Sequence, residues 1–340
     1  MVLLEVNGLR TTFRIPDGDL TAVDDVSFSV LEGETLGIVG ESGSGKSVTA
    51  LSIMGLVPSA RTEGSVRFED RNLLDLDDSE MRRIRGSRIA MVFQDPMTSL
   101  NPVLRIGRQL TEVLRLHTDA SRAEAAARAA ELLDTVGIPE AERRLRDYPH
   151  QFSGGMRQRV MVAMALACDP ALVLADEITT ALDVTIQAQV LALLKQLAAE
   201  RRMSFVLITH DLGIVAGMAD RVMVMYGGQI VEIATTADLF AKPRMPYTWG
   251  LLESLPRMDR DRSLALVPIE GAPPDLADPP TGCRFSARCG YARPICEDRA
   301  PELLTAPQAA ADHQVRCWAT QDHPDGGWLV GAERHTLKEA

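Results

Sequence analysis

The chain has 340 residues, of which 46% are hydrophobic and 24% charged, a composition typical of a globular protein with a large core. Its formal net charge of −11 argues against a nucleic-acid binder with a basic face. No secretory leader precedes the first strand-like residues, and no run of roughly 18 apolar residues occurs, which predicts a cytoplasmic protein without a membrane span.

The first part of the chain has the pattern of β-structure. Residues 2–34 predict strands with a turn at Asp17-Gly18, and residues 88–94 predict a strand that ends in a polar residue. From about residue 96 to 165 the pattern is helical, with Ser121 and Glu124 forming a capping box at one helix start.

An α/β pattern follows the helical segment. The apolar runs 171–175 and 205–208, together with 35–39, predict central strands of a parallel sheet buried on both faces. Residues 186–200 predict the crossover helix between two of these strands, and Gly227-Gly228 predicts a two-residue hairpin.

The segment Gly40–Ser47 reads G-x-x-x-x-G-K-S between a predicted strand and a predicted helix, the context of a phosphate-binding loop. Lys46 is the candidate for the β- and γ-phosphates, and the Ser47 hydroxyl is the candidate ligand of Mg²⁺. The cofactors predicted from these roles are ATP and Mg²⁺. A glycine-rich turn with an incidental lysine is the alternative interpretation. The candidate cofactor-binding residues of this stretch are Gly40, Ser42, Gly43, Ser44, Gly45, Lys46, Ser47 and Val48.

Two further groups point to the same chemistry. Asp176 and Glu177 end an apolar strand, where ligands of open α/β sheets bind, so they suit Mg²⁺ binding and activation of a water molecule. An incidental acidic pair is the alternative for them. Phe13, upstream of the loop, is a candidate for stacking on the nucleotide base or is simply a core aromatic.

The stretch Ser153-Gly154-Gly155 precedes a helix and predicts a second anion site made of backbone N–H groups and a hydroxyl. One nucleotide needs only one such anion-binding site. A second anion-binding site in the same chain is explained if it binds the ATP of another protomer.

In this combination the chain resembles the nucleotide-binding subunits of ABC transporters. Residues 40–47 match the Walker A motif, residues 171–177 the Walker B motif, and Ser153-Gly154-Gly155 the core of the signature motif. The chain departs from the usual family pattern at three positions, which are Phe152, Met156 and Ile178. By the same resemblance the Q-loop, D-loop and switch residues are Gln94, Asp183 and His210.

The resemblance implies an α/β fold: a P-loop NTPase (RecA-like) core with an antiparallel β subdomain and an α-helical subdomain, plus a loop-rich C-terminal extension. It further implies that two such domains enclose two ATP molecules. Glu177, His210 and Gln94 would act in catalysis, and Ser47, Gln94 and Asp176 would hold Mg²⁺. Ser153, Gly154, Gly155 and Asp183 would act at the nucleotide of the partner.

Prolines become frequent after residue 255, which predicts an ATP-binding domain at 1–255 and a C-terminal extension at 256–340. Residues 244–252, 282–285 and 288–289 resemble the extension of oligopeptide/dipeptide permease ATPases. Four cysteines in this region follow C-x₅-C-x₆-C-x₂₀-C spacing. The absence of a tight C-x₂₋₄-C pair favours a [4Fe–4S] cluster over a zinc site, and free or oxidised thiols are the other alternative. They are Cys283, Cys289, Cys296 and Cys317.

The resulting hypothesis is an ATPase subunit of an ABC importer that energises uptake of di- and oligopeptides at the cytoplasmic face of the cell membrane. Its implied partners are a second, non-identical ATPase, two membrane permease subunits and, indirectly, an extracytoplasmic solute-binding protein, with no nucleic acid. Import of nickel or an oligosaccharide, a soluble ABC ATPase of DNA repair or translation, and a redox protein using the cluster are the alternatives.

Overall fold

The computed structural model describes residues 1–93, 99–178, 184–254, 268–307, 309, 312–321 and 327–329. The strands are β1 (Val2–Ile15), β2 (Gly18–Leu31), β3 (Thr35–Val39), β4 (Ala60–Phe68), β5 (Arg71–Asn72), β6 (Ile89–Val92), β7 (Leu172–Asp176), β8 (Ser204–Ile208), β9 (Arg221–Tyr226), β10 (Gln229–Thr235), β11 (Leu304–Thr305) and β12 (Gln314–Val315).

The helices are α1 (Lys46–Ile53), α2 (Asp78–Ile84), α3 (Ile106–His117), α4 (Arg122–Thr135), α5 (Ala141–Arg144), α6 (Gly154–Ala165), α7 (Val184–Arg201), α8 (Leu212–Met218), α9 (Thr236–Ala241), α10 (Pro246–Glu253) and α11 (Pro294–Asp298). Short 3₁₀ turns lie at Leu73–Asp75, Pro149–Gln151, Ser286–Arg288 and Trp318–Thr320. Within the described ranges, no helix is both long and apolar enough to cross a bilayer.

The larger sheet has the strand order β11-β12-β10-β9-β3-β8-β7-β6, and its five strands from β9 to β6 run parallel. Every residue of β3, β7 and β8 is buried, as expected for parallel strands covered on both faces. The hairpin predicted at Gly227-Gly228 joins β9 to β10, and both glycines have positive φ. The predicted P-loop type of core is thereby confirmed.

A second, antiparallel sheet of order β2-β1-β4-β5 forms the predicted β subdomain. Its long β1–β2 hairpin pairs Ile15 with Gly18, so the turn residues are Pro16 and Asp17. The turn therefore begins one residue earlier than the predicted Asp17-Gly18. The reason is that Gly18, with φ of 138°, is already the first residue of β2.

The helical subdomain consists of α3 to α6. The predicted capping box starts α4: Ser121 Oγ accepts the Glu124 N–H at 3.3 Å, and Glu124 Oε2 accepts the Ser121 N–H at 2.8 Å. Leu110, Leu132 and Val160 are fully or almost fully buried in a cluster that continues into β6 and β7. The helices are thus packed on the same sheet that carries the phosphate-binding loop.

The C-terminal extension adds strands to the edge of the large sheet. β12 pairs with β10, and Arg316 Nε donates to the Ile230 carbonyl at 2.9 Å. His313 and Glu232, both buried, meet at 2.8 Å. The boundary predicted near residue 255 falls at the start of 255–267, which lies outside the described residues, and it stays a prediction.

Candidate active site

The phosphate-binding loop (residues 40–47) connects buried β3 to α1. Gly40 has φ of 151°, and a Cβ there would lie 2.2 Å from the Met225 carbonyl oxygen. Gly45 has φ of 99°, and its Cβ would lie 2.5 Å from the Ala22 carbonyl oxygen. Only glycine fits both positions, and the resulting turn directs the N-terminus of α1, with its free N–H groups, at the loop interior.

Lys46 is the first residue of α1 and is only 4% exposed. Its ammonium donates to the carbonyls of Gly40 and Glu41, each at 2.8 Å, and lies 3.4 Å from Ser44 Oγ. Burial lowers the pKa of Lys46 from its ordinary value, while the Glu177 and Asp176 carboxylates oppose that change. The Lys46 ammonium is therefore held inside the loop by backbone carbonyl oxygens, and phosphate oxygens can take their place as acceptors.

Ser47 and Asp176 meet across the site. The Ser47 hydroxyl donates to Asp176 Oδ1 at 3.0 Å, and Asp176 ends β7 with 6% exposure. Burial raises the pKa of the Asp176 carboxyl, and the Ser47 hydrogen bond counteracts this. A hydroxyl beside a carboxylate is an oxygen pair of the kind that Mg²⁺ prefers, so these two residues fit the predicted ion.

Glu177 and His210 follow neighbouring parallel strands, β7 and β8. The Glu177 N–H donates to the Ile208 carbonyl at 2.9 Å, and His210 Nδ1 lies 3.4 Å from Glu177 Oε1. The structure therefore brings together two residues separated by 33 positions, as the resemblance implies.

Glu177 has φ of 45°, a left-handed conformation that is uncommon for glutamate and costs about 1–3 kcal/mol. The next residue, Ile178, is one of the departures from the family pattern and is 2% exposed in the helical-subdomain core. Burial of Ile178 thus anchors the turn that follows Glu177.

A cavity of about 700 Å³ opens beside these residues, a volume in the usual range of ligand sites. Phe13 from β1 lines it together with Glu177 and His210. The lining residues are Phe13, Leu20, Ala22, Ser42, Gly43, Ser44, Gly45, Lys46, Ser47, Val48, Glu177, His210 and Leu276.

The predicted second anion site lies elsewhere. Ser153 is the N-cap of α6, with its hydroxyl accepting the Met156 N–H at 3.3 Å. Ser153 and Gly154 are exposed, and a Cβ on Gly154 would meet nothing within 4 Å. None of the residues 153–155 is among the described residues that line the cavity beside Lys46. Gln94 and Asp183 fall outside the described residues.

The four C-terminal cysteines gather in one region but do not form a metal site there. The Cys283 N–H donates to the Cys296 carbonyl at 2.7 Å, and all four are free thiols. Burial raises the pKa of Cys283 to about 11 and of Cys317 to about 12. Over the described ranges, no three His, Cys, Asp or Glu residues are grouped so that they could hold a metal ion. As placed in the structure, the four thiols therefore lack the grouping that a bound cluster requires.

Three further residues contact the site or line its cavity, although the sequence alone does not indicate a role for them. The Tyr247 hydroxyl accepts the Glu41 N–H at 2.9 Å, Arg288 pairs with the Glu41 carboxylate, and Leu276 lines the cavity. Tyr247 and Arg288 lie in segments whose family resemblance was recognised. No local pattern assigns either of them a contact with a loop 206 and 247 positions away.

Comparison with known families agrees with this geometry. The model of the ABC transporter family matches residues 23–180, and that of the oligopeptide/dipeptide transporter C-terminal region matches residues 231–296. The chain is 53% identical over 301 residues to the oligopeptide transport ATP-binding protein OppD of Salmonella typhimurium, covering 88% of this chain and 90% of that protein. It is 49% identical over 332 residues to the dipeptide transport ATP-binding protein DppD of Bacillus subtilis, covering 97% and 98%.

Solved structures show the same fold. The dimeric ATP-binding cassette MJ0796, in a post-hydrolysis state bound to ADP and Pi, superposes with a TM-score of 0.63 at 31% identity, covering 68% of this chain and 98% of that one. CbiO1 of Clostridium perfringens, part of an ABC transporter complex, superposes with a TM-score of 0.61 at 25% identity, covering 71% and 91%. The predicted family resemblance is confirmed: this chain belongs to the ABC transporter ATP-binding proteins and, within them, to the oligopeptide and dipeptide transport group.

Proposed function

We propose that this chain is the ATP-hydrolysing subunit of an ABC importer that energises uptake of di- and oligopeptides. The observation that carries the proposal is the convergence of Lys46, Ser47, Glu177 and His210 around one nucleotide-sized cavity, with Asp176 hydrogen-bonded to Ser47. The choice of peptides as solute is supported by the names of the relatives, which are oligopeptide and dipeptide transport proteins.

In this mechanism the triphosphate replaces the loop carbonyls around Lys46, so that the ammonium binds the β- and γ-phosphate oxygens. Backbone N–H groups of residues 43–48 bind the remaining phosphate oxygens, and Phe13 stacks on the base. Ser47, Asp176 and Gln94 would hold Mg²⁺, which supplies positive charge to the phosphates when bound.

Glu177 then orients the attacking water and accepts its proton as the water oxygen forms a bond to the γ-phosphorus and ADP leaves. His210 binds the γ-phosphate on the same side. The 3.4 Å contact between Glu177 and His210 supports these two roles, because the attacking water at Glu177 and the γ-phosphate at His210 must lie next to each other.

A second chain completes the site in this proposal. Ser153, Gly154, Gly155 and Asp183 act on the nucleotide of the partner, which is a related but non-identical ATPase. The exposed N-terminus of α6, apart from the cavity of its own chain, supports an intermolecular role. The helix dipole of the partner would stabilise charge developing on the γ-phosphate.

The membrane permease subunits are proposed to dock in an apolar groove of about 310 Å³ between the sheet and the helical subdomain. Phe93 and Leu56 at its rim are 40% and 36% exposed, more than core aromatics and aliphatics normally are. Such docking would hold the chain on the cytoplasmic face of the membrane, with the solute-binding protein acting indirectly from the other side. We also propose that the chain consists of an ATP-binding domain at residues 1–255 and a C-terminal extension at residues 256–340.

The iron–sulfur cluster at Cys283, Cys289, Cys296 and Cys317 is a separate proposal, and no step above depends on it. The shared location of the four thiols supports it, whereas their present spacing counts against it. Protein purified without oxygen should be brown, with visible absorbance that Cys289→Ser removes. A colourless wild-type protein with no bound iron would end this proposal.

The decisive experiment for the transport function is isolation of the native complex and an ATPase assay with a panel of peptides, nickel and oligosaccharides. Peptides loaded on the solute-binding protein should stimulate hydrolysis. Stimulation by another solute alone would replace the peptide assignment. Absence of permease subunits from the complex would contradict the importer role.

A further inference from the structure

A buried ion pair ties the C-terminal extension to the phosphate-binding loop. Arg288 Nη1 donates to Glu41 Oε2 at 2.7 Å, and Nη2 donates to Glu41 Oε1 at 3.0 Å. The Arg288 side chain is 4% exposed and that of Glu41 28% exposed. This parallel two-bond geometry is the strongest form of an arginine–carboxylate contact.

The guanidinium has a partner for each of its five N–H donors. Besides the two bonds to Glu41, Nε donates to the Glu270 carbonyl at 2.8 Å, and Nη2 to the Ile269 carbonyl at 3.1 Å. The last donor, on Nη1, reaches the Tyr226 hydroxyl at 3.2 Å. Because all five directions are used, the orientation of Arg288 is fixed before any nucleotide arrives.

Glu41 is held at three points. Its carboxylate binds Arg288, its N–H donates to Tyr247, and its carbonyl accepts from Lys46 and from the Ser44 N–H. Tyr247 is itself fully buried against the rings of Tyr226 and Phe285, whose centroids lie within 5.3 Å of one another. The rigid aromatic cluster and Arg288 therefore determine where this turn of the loop lies.

We propose that Arg288 is a positioning residue for ATP: through Glu41 the C-terminal extension fixes the conformation of the phosphate-binding loop before the nucleotide binds. The pair also neutralises the carboxylate of a residue that belongs to the phosphate-binding loop. This inference rests on the proposed ATPase function. Pre-ordering a loop lowers the entropy lost on binding, so the pair acts on nucleotide affinity.

The test is a double-mutant cycle on the full chain, with fluorescent ATP and Mg²⁺ as the titrated ligand and thermal melting as a second readout. Arg288→Met leaves the Glu41 charge unpaired and should raise the Kd about tenfold, a change equivalent to 1.4 kcal/mol. Arg288→Lys keeps the charge but loses the two-bond geometry, and its Kd should fall between those of the wild type and Arg288→Met. Combining Arg288→Met with Glu41→Gln removes the stranded charge, so the double variant should bind better than Arg288→Met alone.

The matched control is Arg316→Met. Arg316 also joins the extension to the sheet, and among the described residues its hydrogen bonds and ion pair go to Ile230, Pro301 and Asp25 rather than to the loop. It should lower the melting temperature and leave the Kd within about twofold. An unchanged Kd in Arg288→Met, or an equal rise in Arg316→Met, would overturn the inference. Failure of the wild-type chain to bind nucleotide above the level of Lys46→Ala would instead refute the proposed function. If Arg288→Met does not fold, the Kd of Arg288→Lys is compared with that of the wild type instead. A raised Kd supports the inference, and an unchanged Kd overturns it.

Discussion

The Ser47 hydroxyl donates a hydrogen bond to Asp176 Oδ1 at 3.0 Å, joining the start of α1 to the end of β7 across 129 positions of sequence. The carboxylate in this pair is 6% exposed and has a raised pKa because it is buried. A charged group that is buried at a cost to the stability of the folded state is typical of a functional site. Mg²⁺ held there, as proposed above, would offset that cost.

Asp176→Asn should therefore abolish ATP hydrolysis yet raise the melting temperature at neutral pH without Mg²⁺. The ionised carboxylate is destabilised by burial, and asparagine can still accept the Ser47 hydrogen bond. About 1 kcal/mol of relief would raise the melting temperature by roughly 2 °C. Differential scanning fluorimetry measures the change.

The sign of this effect depends on pH. Above the ordinary carboxyl pKa of 3.8 the wild type has to hold a buried charge, whereas below it Asp176 is neutral in both the folded and the unfolded state. The advantage of the variant should thus shrink as the pH falls through the raised pKa and towards 3.8. A variant less stable than the wild type at neutral pH would contradict the argument.

Glu177→Gln should retain nucleotide binding and lose hydrolysis by about a hundredfold or more, because the amide cannot take the proton of the attacking water. The variant should accumulate a closed, ATP-loaded dimer with its partner ATPase, measured by size-exclusion chromatography with ATP. Lys46→Ala is the control that should fail to bind at all. Normal turnover in Glu177→Gln, with the partner site inactivated, would remove Glu177 from the mechanism.

Gly154→Asp tests whether the N-terminus of α6 acts on the nucleotide of the partner rather than in its own chain. Because a Cβ at Gly154 meets nothing within 4 Å, the melting temperature and the ATP affinity of the isolated chain should not change. Hydrolysis by the assembled complex should fall, since an extra negative charge would face the γ-phosphate of the partner nucleotide.

The contrasting control is Gly155→Ala. Its Cβ would lie 2.6 Å from Ile186 Cγ2, so this change should lower the melting temperature. Weakened ATP binding by the isolated Gly154→Asp chain would argue that α6 serves its own nucleotide.

Phe13→Ala should raise the Kd for ATP about tenfold, because stacking of a base on an aromatic ring contributes about 1–3 kcal/mol. Phe13 is half-buried at the cavity wall, so truncation should affect stability less than affinity. Phe13→Trp keeps a stacking face and should retain affinity. Equal binding of ATP and inorganic triphosphate by the wild type would show that the base is not recognised there.

Local features of this protein could be predicted from adjacent residues alone. The turn of the phosphate-binding loop, the hairpin at Gly227-Gly228 and the capping box at Ser121 each depend on backbone conformation and hydrogen bonds within a few positions. The buried apolar runs likewise indicate a parallel sheet, whose geometry brings the ends of β7 and β8, and hence Glu177 and His210, to one edge.

Contacts between distant segments were decided only by the tertiary structure. Tyr247 and Arg288 hold Glu41 across separations of 206 and 247 positions, and Leu276 from the extension lines the nucleotide cavity. A side chain carries no local signal for such a partner, because the contact depends on how the extension packs on the sheet. The same packing places the four C-terminal cysteines in one region, and burial there raises the pKa of the Cys283 and Cys317 thiols.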